Sequence, residues 1–139
     1  MTATDHAIDL AHIAAKAAYE KKAMNVIALD VSERLVLTDV FVVASGTNER
    51  QVSAIVDEIT GKLHLAGTRV VRKEGVSQAR WVLLDFGEII VHVQHEEDRE
   101  FYALERLWSD CPVIDLPPDD VGEADAIGDL GAPLAAGDL

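Results

Sequence analysis

Residues 80–94 read RWVLLDFGEIIVHVQ, and this stretch decides the fold. On both sides of Gly87 the apolar side chains alternate with other residues, which is typical of two strands joined by a tight turn. A two-residue loop of Phe86 and Gly87 would set Trp81 opposite His92. One face of this predicted hairpin is then wholly apolar and must meet the core. It holds Val82, Leu84, Ile89, Val91 and Val93.

The other face of the predicted hairpin mixes large apolar groups with charged ones. It holds Trp81, Leu83, Asp85, Glu88, Ile90, His92 and Gln94. A core face does not accept free carboxylates, and a solvated face seldom gathers so many apolar side chains, so the mixture predicts an interface with an aromatic anchor. Two alternatives stay open at this point. Either the first helix covers this face, or a bulge at Gly87 after Asp85 and Phe86 moves Trp81 to the core face beside Val91.

The segments around the hairpin predict an α/β fold. Apolar and β-branched runs predict strands, of which the second is buried on both faces. The predicted strands cover residues 25–31, 38–44, 68–73, 80–86 and 88–94. Helical spacing of apolar residues predicts three helices, over residues 4–22, 48–66 and 96–108. We therefore expect a mixed sheet with helices packed on it.

Capping residues and apolar stripes support these helices. Thr4 is a suitable cap for the first helix, Asn48 and Gln51 resemble a capping box for the second, and Gly67 suits the position after its end. The apolar stripe of the second helix is Val52, Ile55, Val56, Ile59 and Leu63. That of the third is Phe101, Leu104, Leu107 and Trp108.

The charge of the chain excludes some classes of partner. Its 139 residues include 25 acidic and 12 basic ones, a net charge of −13. Direct binding to nucleic acid or to an anionic membrane requires clustered basic residues, so the charge argues against both and leaves a basic protein open as a partner. With one cysteine, Cys111, no disulfide and no cysteine-based zinc site are expected. No apolar run of membrane-spanning length and no signal sequence is apparent, so we expect a soluble cytoplasmic protein.

The composition changes near Asp115. Seven of the 25 acids lie in residues 115–139, together with three prolines and four glycines and without any aromatic or basic residue. Such a segment buries too little apolar surface to offset its ordering entropy. We predict an α/β domain at residues 1–114 and a disordered acidic tail at residues 115–139, the domain itself carrying a net charge of −6.

Catalytic chemistry has little support in the sequence. Ser45, Gly46 and Thr47 follow a predicted buried strand and open a helix, so their amides are candidates for holding a phosphate. Metal-assisted nucleotidyl transfer needs carboxylates aimed at one point, and no strand carries an Asp-x-Asp pair. His92 and His95 point to opposite faces of a strand, so we expect neither a metal site nor a bound cofactor.

Several motifs in one order resemble the Iojap or ribosomal silencing factor (RsfS) family. The resemblance covers about residues 10–108. Its motifs are TDVFVVASGT at residues 38–47, RQV at 50–52, EG at 74–75, WVLLDFGE at 81–88, VHV at 91–93 and REFYALERLW at 99–108.

This resemblance implies a nucleotidyltransferase-like fold with an open sheet face, without the catalytic carboxylates and without enzyme activity. It implies a translation repressor that binds the large ribosomal subunit through a basic protein at the intersubunit face, the universal ribosomal protein numbered fourteen. The bound factor would block joining of the small subunit during starvation or stationary phase. Family members often form homodimers. The implied partner surface includes Trp81, Leu83 and Asp85, with Lys73, Glu74, Glu88 and His92 nearby, and it favours the register that exposes Trp81.

Two other hypotheses remain. One is a nucleotide-binding or nucleotidyltransferase-like protein that uses the loop of Ser45, Gly46 and Thr47. The other is a dimerisation module whose open face pairs with a second copy.

Overall fold

A computed structural model describes residues 2–116. The predicted order of helix, two strands, helix, three strands and helix is confirmed, except that the last helix is in two pieces. In chain order the elements are α1 (Asp5–Glu20), β1 (Met24–Asp30), β2 (Val40–Gly46), α2 (Glu49–Leu65), β3 (Arg72–Glu74), β4 (Trp81–Asp85), β5 (Ile89–His95), α3 (Glu96–Tyr102) and α4 (Leu104–Leu107). Of the predicted acidic tail, residues 117–139 lie outside the described residues.

The five strands form one mixed sheet in the order β1-β2-β5-β4-β3. β2 and β5 are parallel and the other neighbours are antiparallel. All seven residues of β2 are buried, as its continuous apolar run predicts. Helices α1 and α2 pack on one face of the sheet. The largest buried side chains of this layer are Ile55, Ile59, Leu63, Leu84 and Ile89.

The predicted caps of α1 and α2 are confirmed. Thr4 Oγ1 accepts a hydrogen bond from the Ala7 amide, and Asn48 Oδ1 accepts one from the Gln51 amide at 2.8 Å. Gly67 has a φ of +92°, and beyond it the Thr68 amide donates to the Leu63 carbonyl, which ends α2.

Residues 108–116, here called the C-terminal segment, begin over part of the second sheet face and then follow the free edge of β1. Trp108 contacts Phe41 with their ring centroids 4.8 Å apart, and Cys111 is buried beside Leu29 and Phe41. The Pro112 carbonyl accepts the Asp30 amide at 2.8 Å, so the segment runs along β1. The half of this face formed by β1 and β2 is therefore covered, whereas the half formed by β4 and β3 is left open.

The predicted single helix over residues 96–108 is wrong. Ala103 adopts a left-handed conformation with φ 45° and ψ 52°, which separates α3 from α4. Phe101 is 79% and Leu107 68% exposed, so the predicted apolar stripe is wrong for both, although Leu104 is buried. The physical reason is a buried Arg99, which donates to the Ser45 hydroxyl oxygen at 3.1 Å and pairs with Glu105 across the break.

The hairpin of β4 and β5 has the predicted faces but another register. Trp81 lies opposite Gln94, not opposite His92, and Leu83 lies opposite His92. The Phe86 amide donates to the Ile89 carbonyl, so the two-residue loop consists of Gly87 and Glu88 and not of the predicted Phe86 and Gly87. The register differs by two residues, and a shift of two leaves every side chain on its original face. The alternative with Trp81 on the core face is wrong.

β5 continues into α3 without an intervening residue. His95 is the last residue of β5, and its Nδ1 accepts the Glu97 amide at 3.1 Å, so the same residue caps the helix. Arg80, next to β4, pairs with Asp98 of α3 at 2.7 Å. These contacts fix the direction of α3 relative to the sheet.

Candidate interaction surface

The uncovered half of the second sheet face forms the candidate site, here called the open face. Strand pairing sets Glu74 opposite Leu83 and Arg72 opposite Asp85, so these four side chains share a face with Trp81. Tyr102 borders this face from α3, because its ring centroid lies 4.9 Å from that of Trp81. The open face comprises Arg72, Glu74, Trp81, Leu83, Asp85 and Tyr102.

Aromatic rings form the middle of the open face. Trp81 is half-buried, Tyr102 is 51% exposed, and Phe101 contacts Tyr102 edge to face at 4.9 Å. Sequence reasoning missed Phe101 and Tyr102 as site residues, because a continuous helix assigned Phe101 to the core. The break at Ala103 depends on a contact distant in sequence, that of Arg99 with Ser45, so no local pattern indicated it.

His92 lies beneath this aromatic layer. It is 5% exposed, so it cannot form a large contact with a partner in this conformation. Its Nδ1 accepts the indole N–H of Trp81 at 3.1 Å, and its ring meets Phe41 edge to face. Burial lowers the pKa of His92 to about 4, so the ring is neutral near pH 7.

The charged groups of the open face are partly engaged with one another. Asp85 Oδ1 accepts the Gly87 amide at 2.8 Å and so shapes the turn, while its Oδ2 lies 3.8 Å from Arg72. Glu74 pairs with Arg72 at 3.0 Å. Because Arg72 and Glu74 are well exposed, these pairs are weak and their groups are accessible to a partner.

The structure places two of the predicted site residues away from the open face. Lys73 lies opposite Leu84, on the helix side of β3, beside a depression lined also by residues of α2. Glu88 is exposed at the hairpin turn, with its Oε1 3.1 Å from Nδ1 of His6 in α1. Of the seven predicted residues, Trp81, Leu83, Asp85, Glu74 and His92 are thus brought together, with His92 below the others.

A glycine fixes the loop that leads into β4. Gly75 has a φ of +78°, and a Cβ at this position would lie 2.2 Å from the Trp81 carbonyl oxygen. Only glycine allows the loop to approach the strand so closely. The Glu-Gly pair at residues 74–75 therefore positions the backbone of Trp81.

The loop of Ser45, Gly46 and Thr47 has few donors left for a phosphate. The Ser45 hydroxyl donates to the Met24 carbonyl and accepts from Arg99. The Thr47 amide donates to Gln51 Oε1 at 2.7 Å. Within residues 2–116, no group of three or more His, Cys, Asp or Glu side chains is arranged to hold a metal ion. No helix in this part of the chain is long and apolar enough to cross a membrane.

Comparisons with known proteins agree with one another. A family model described as ribosomal silencing factor during starvation matches residues 4–129, which extends into the acidic segment. A ribosomal silencing factor of Bacillus subtilis is 41% identical over 104 residues, covering 75% of this chain and 88% of that protein. A mouse protein is 31% identical over 93 residues, which cover 65% of this chain and 41% of that protein. It is named mitochondrial assembly of ribosomal large subunit protein 1. A crystal structure of a Chromobacterium violaceum protein is similar with a TM-score of 0.71 and 35% identity, covering 73% of this chain and 84% of that chain.

Proposed function

Because the chain belongs to the ribosomal silencing factor family, we propose that it represses translation by binding the large ribosomal subunit and blocking the small subunit from joining. The proposed contact is a basic protein of the intersubunit face, the universal ribosomal protein numbered fourteen. The activity requires no catalysis, belongs to starvation or stationary phase, and takes place in the cytoplasm. We assign it to the α/β domain of residues 1–114. The name of the mouse relative supports a large-subunit partner.

The open face is the observation that carries this proposal. It joins an aromatic centre of Trp81 and Tyr102 to a rim with carboxylates, which is the usual composition of a protein interface. The remainder of this sheet face is already covered by the C-terminal segment. The carboxylates of Glu74 and Asp85 would attract a basic protein and repel RNA phosphates.

Trp81 is the residue on which binding should depend most. A tryptophan at the centre of an interface commonly contributes about 2 kcal/mol or more, which is about 30-fold in affinity. We expect Trp81→Ala to fold normally and to lose co-sedimentation with purified large subunits in a sucrose gradient.

The control variant is Leu65→Ala, since Leu65 is 81% exposed at the end of α2, on the other side of the sheet. It should co-sediment like the unchanged protein. If Trp81→Ala also co-sediments unchanged, the open face is not the docking surface. If Trp81→Ala converts a dimer into a monomer without affecting subunit binding, the open face serves a homodimer instead.

A further inference from the structure

The buried histidine below the open face is not explained by contact with a partner. His92 lies opposite Leu83 on β4 and beside Val43 on β2, and it is 5% exposed. An indole N–H can only donate, so the bond from Trp81 requires an unprotonated Nδ1. The neutral ring then carries its proton on Nε2, which has no partner among the described residues. Nδ1 thus serves Trp81 alone, and no contact among the described residues uses Nε2.

We propose that His92 is a positioning residue that holds the Trp81 indole in its docking orientation by accepting the indole N–H. This inference rests on the proposed function, because it concerns the same surface. The indole is held at two places, by the nitrogen of His92 from below and by the ring of Tyr102 at its side. Trp81 is only half-buried, so without the bond its rotamer would be less restricted.

The surroundings of His92 favour this role over that of a charged group. His92 has no ion pair among the described residues, and burial alone accounts for the direction of its pKa shift. The charged and titratable groups on this side of the sheet include Asp85 on β4, Arg72 and Glu74 on β3, Arg99 and Tyr102 on α3, Glu105 on α4 and Cys111 in the C-terminal segment, together with Arg34 and Asp110, which pair with each other beside Trp108. The charged groups of this set bond to partners other than His92. Asp85 accepts the Gly87 amide, Arg72 pairs with Glu74, and Arg99 pairs with Glu105.

Two substitutions of His92 distinguish the effect of its hydrogen-bond acceptor from the effect of its ring volume. His92→Phe keeps an aromatic ring and removes the acceptor, whereas His92→Asn is smaller but offers Oδ1 near the position of Nδ1. Both are made in a Trp108→Phe background, so that Trp81 is the one remaining tryptophan. Acrylamide quenching of its fluorescence then reports how firmly the indole is held, and thermal unfolding reports the stability of each variant.

We expect His92→Phe to increase the quenching of Trp81 and to weaken co-sedimentation with large subunits by about 5- to 10-fold, the equivalent of one hydrogen bond. His92→Asn should restore quenching toward that of the background protein, even if it unfolds at a lower temperature. If His92 contributes to stability alone, the opposite pattern is expected. Both variants would unfold at a lower temperature, His92→Asn more so because its side chain is smaller, and the quenching of Trp81 would not change in either. That result, or equal quenching in both variants, overturns the proposal.

The quenching measurement uses no ribosomes, so it tests the contact of His92 with Trp81 independently of the proposed function. If Trp81→Ala still binds large subunits, the docking surface is wrong and His92 positions no docking residue. If Trp81→Ala loses binding while His92→Phe leaves both quenching and binding unchanged, the docking surface stands and the role of His92 is wrong.

Discussion

Burial of His92 makes the stability of this domain depend on pH. The pKa of this histidine falls from its ordinary value of 6.5 to about 4 in the folded chain. The unfolded chain therefore takes up a proton at a pH where the folded chain does not. The stabilisation is fully present above pH 6.5, is lost as the pH falls from 6.5 to about 4, and does not change further below that.

The magnitude follows from the size of the shift. A difference of about 2.5 pKa units corresponds to about 3 kcal/mol, of which about 2 kcal/mol is lost between pH 7 and pH 5. This is a large fraction of the 5–15 kcal/mol that stabilises a typical domain. Acidification to pH 5 should therefore lower the urea midpoint visibly.

The assay compares urea unfolding of the unchanged protein and of His92→Phe at several pH values between 5 and 7. Subtracting the two free energies of unfolding cancels the other titrating groups, which both proteins share. The difference should change by about 2 kcal/mol in favour of His92→Phe as the pH falls from 7 to 5. Two parallel curves would refute the reasoning, because they would mean that His92 is not shielded from water in the folded chain.

Two further predictions concern single contacts, and urea unfolding measures both. Gly75→Ala should lower the free energy of unfolding by at least about 2 kcal/mol, because the new Cβ would collide with the Trp81 carbonyl. The control Gly61→Ala, in the open middle of α2, should raise it by about 0.5–1 kcal/mol. Equal effects of the two substitutions would contradict the collision. Arg99→Met should lower the free energy of unfolding by about 2 kcal/mol, because it leaves Glu105 unpaired. The control Arg106→Ala, at an exposed position, should change it by less than about 0.5 kcal/mol. If Arg99→Met leaves the free energy of unfolding unchanged, the pair of Arg99 and Glu105 does not stabilise the fold.

Periodicity in the sequence predicted those parts of the fold that depend on burial. The helical spacing of apolar residues from Val52 to Leu63 predicted α2, and the apolar run of β2 indicated burial on both faces. The faces of the hairpin were predictable for the same reason, since they depend on alternation alone. Its register was not, because the Asp85 carboxylate accepts the Gly87 amide, a side-chain bond that the pattern does not encode, and the two-residue turn lies one position later, at Gly87 and Glu88.

The candidate site was predictable only in part, since it depends on how distant segments meet. The family resemblance pointed to Trp81, but not to the burial of His92 beneath it. Lys73 and Glu74 are neighbours in sequence and lie on opposite faces of β3, which follows only from the pairing of β3 with β4. Tyr102 reaches the open face because α3 ends there and the chain turns at Ala103, beside the contact of Arg99 with Ser45.

The direct passage of β5 into α3 at His95 has a kinetic consequence. The strand that carries His92 and the helix that carries Tyr102 have no hinge between them, so the aromatic layer above the sheet is formed before any partner arrives. A partner that docks there loses little binding energy to ordering the surface. Association should then proceed in a single step whose rate rises linearly with concentration and is set by encounter and charge, with no slow rearrangement to limit it.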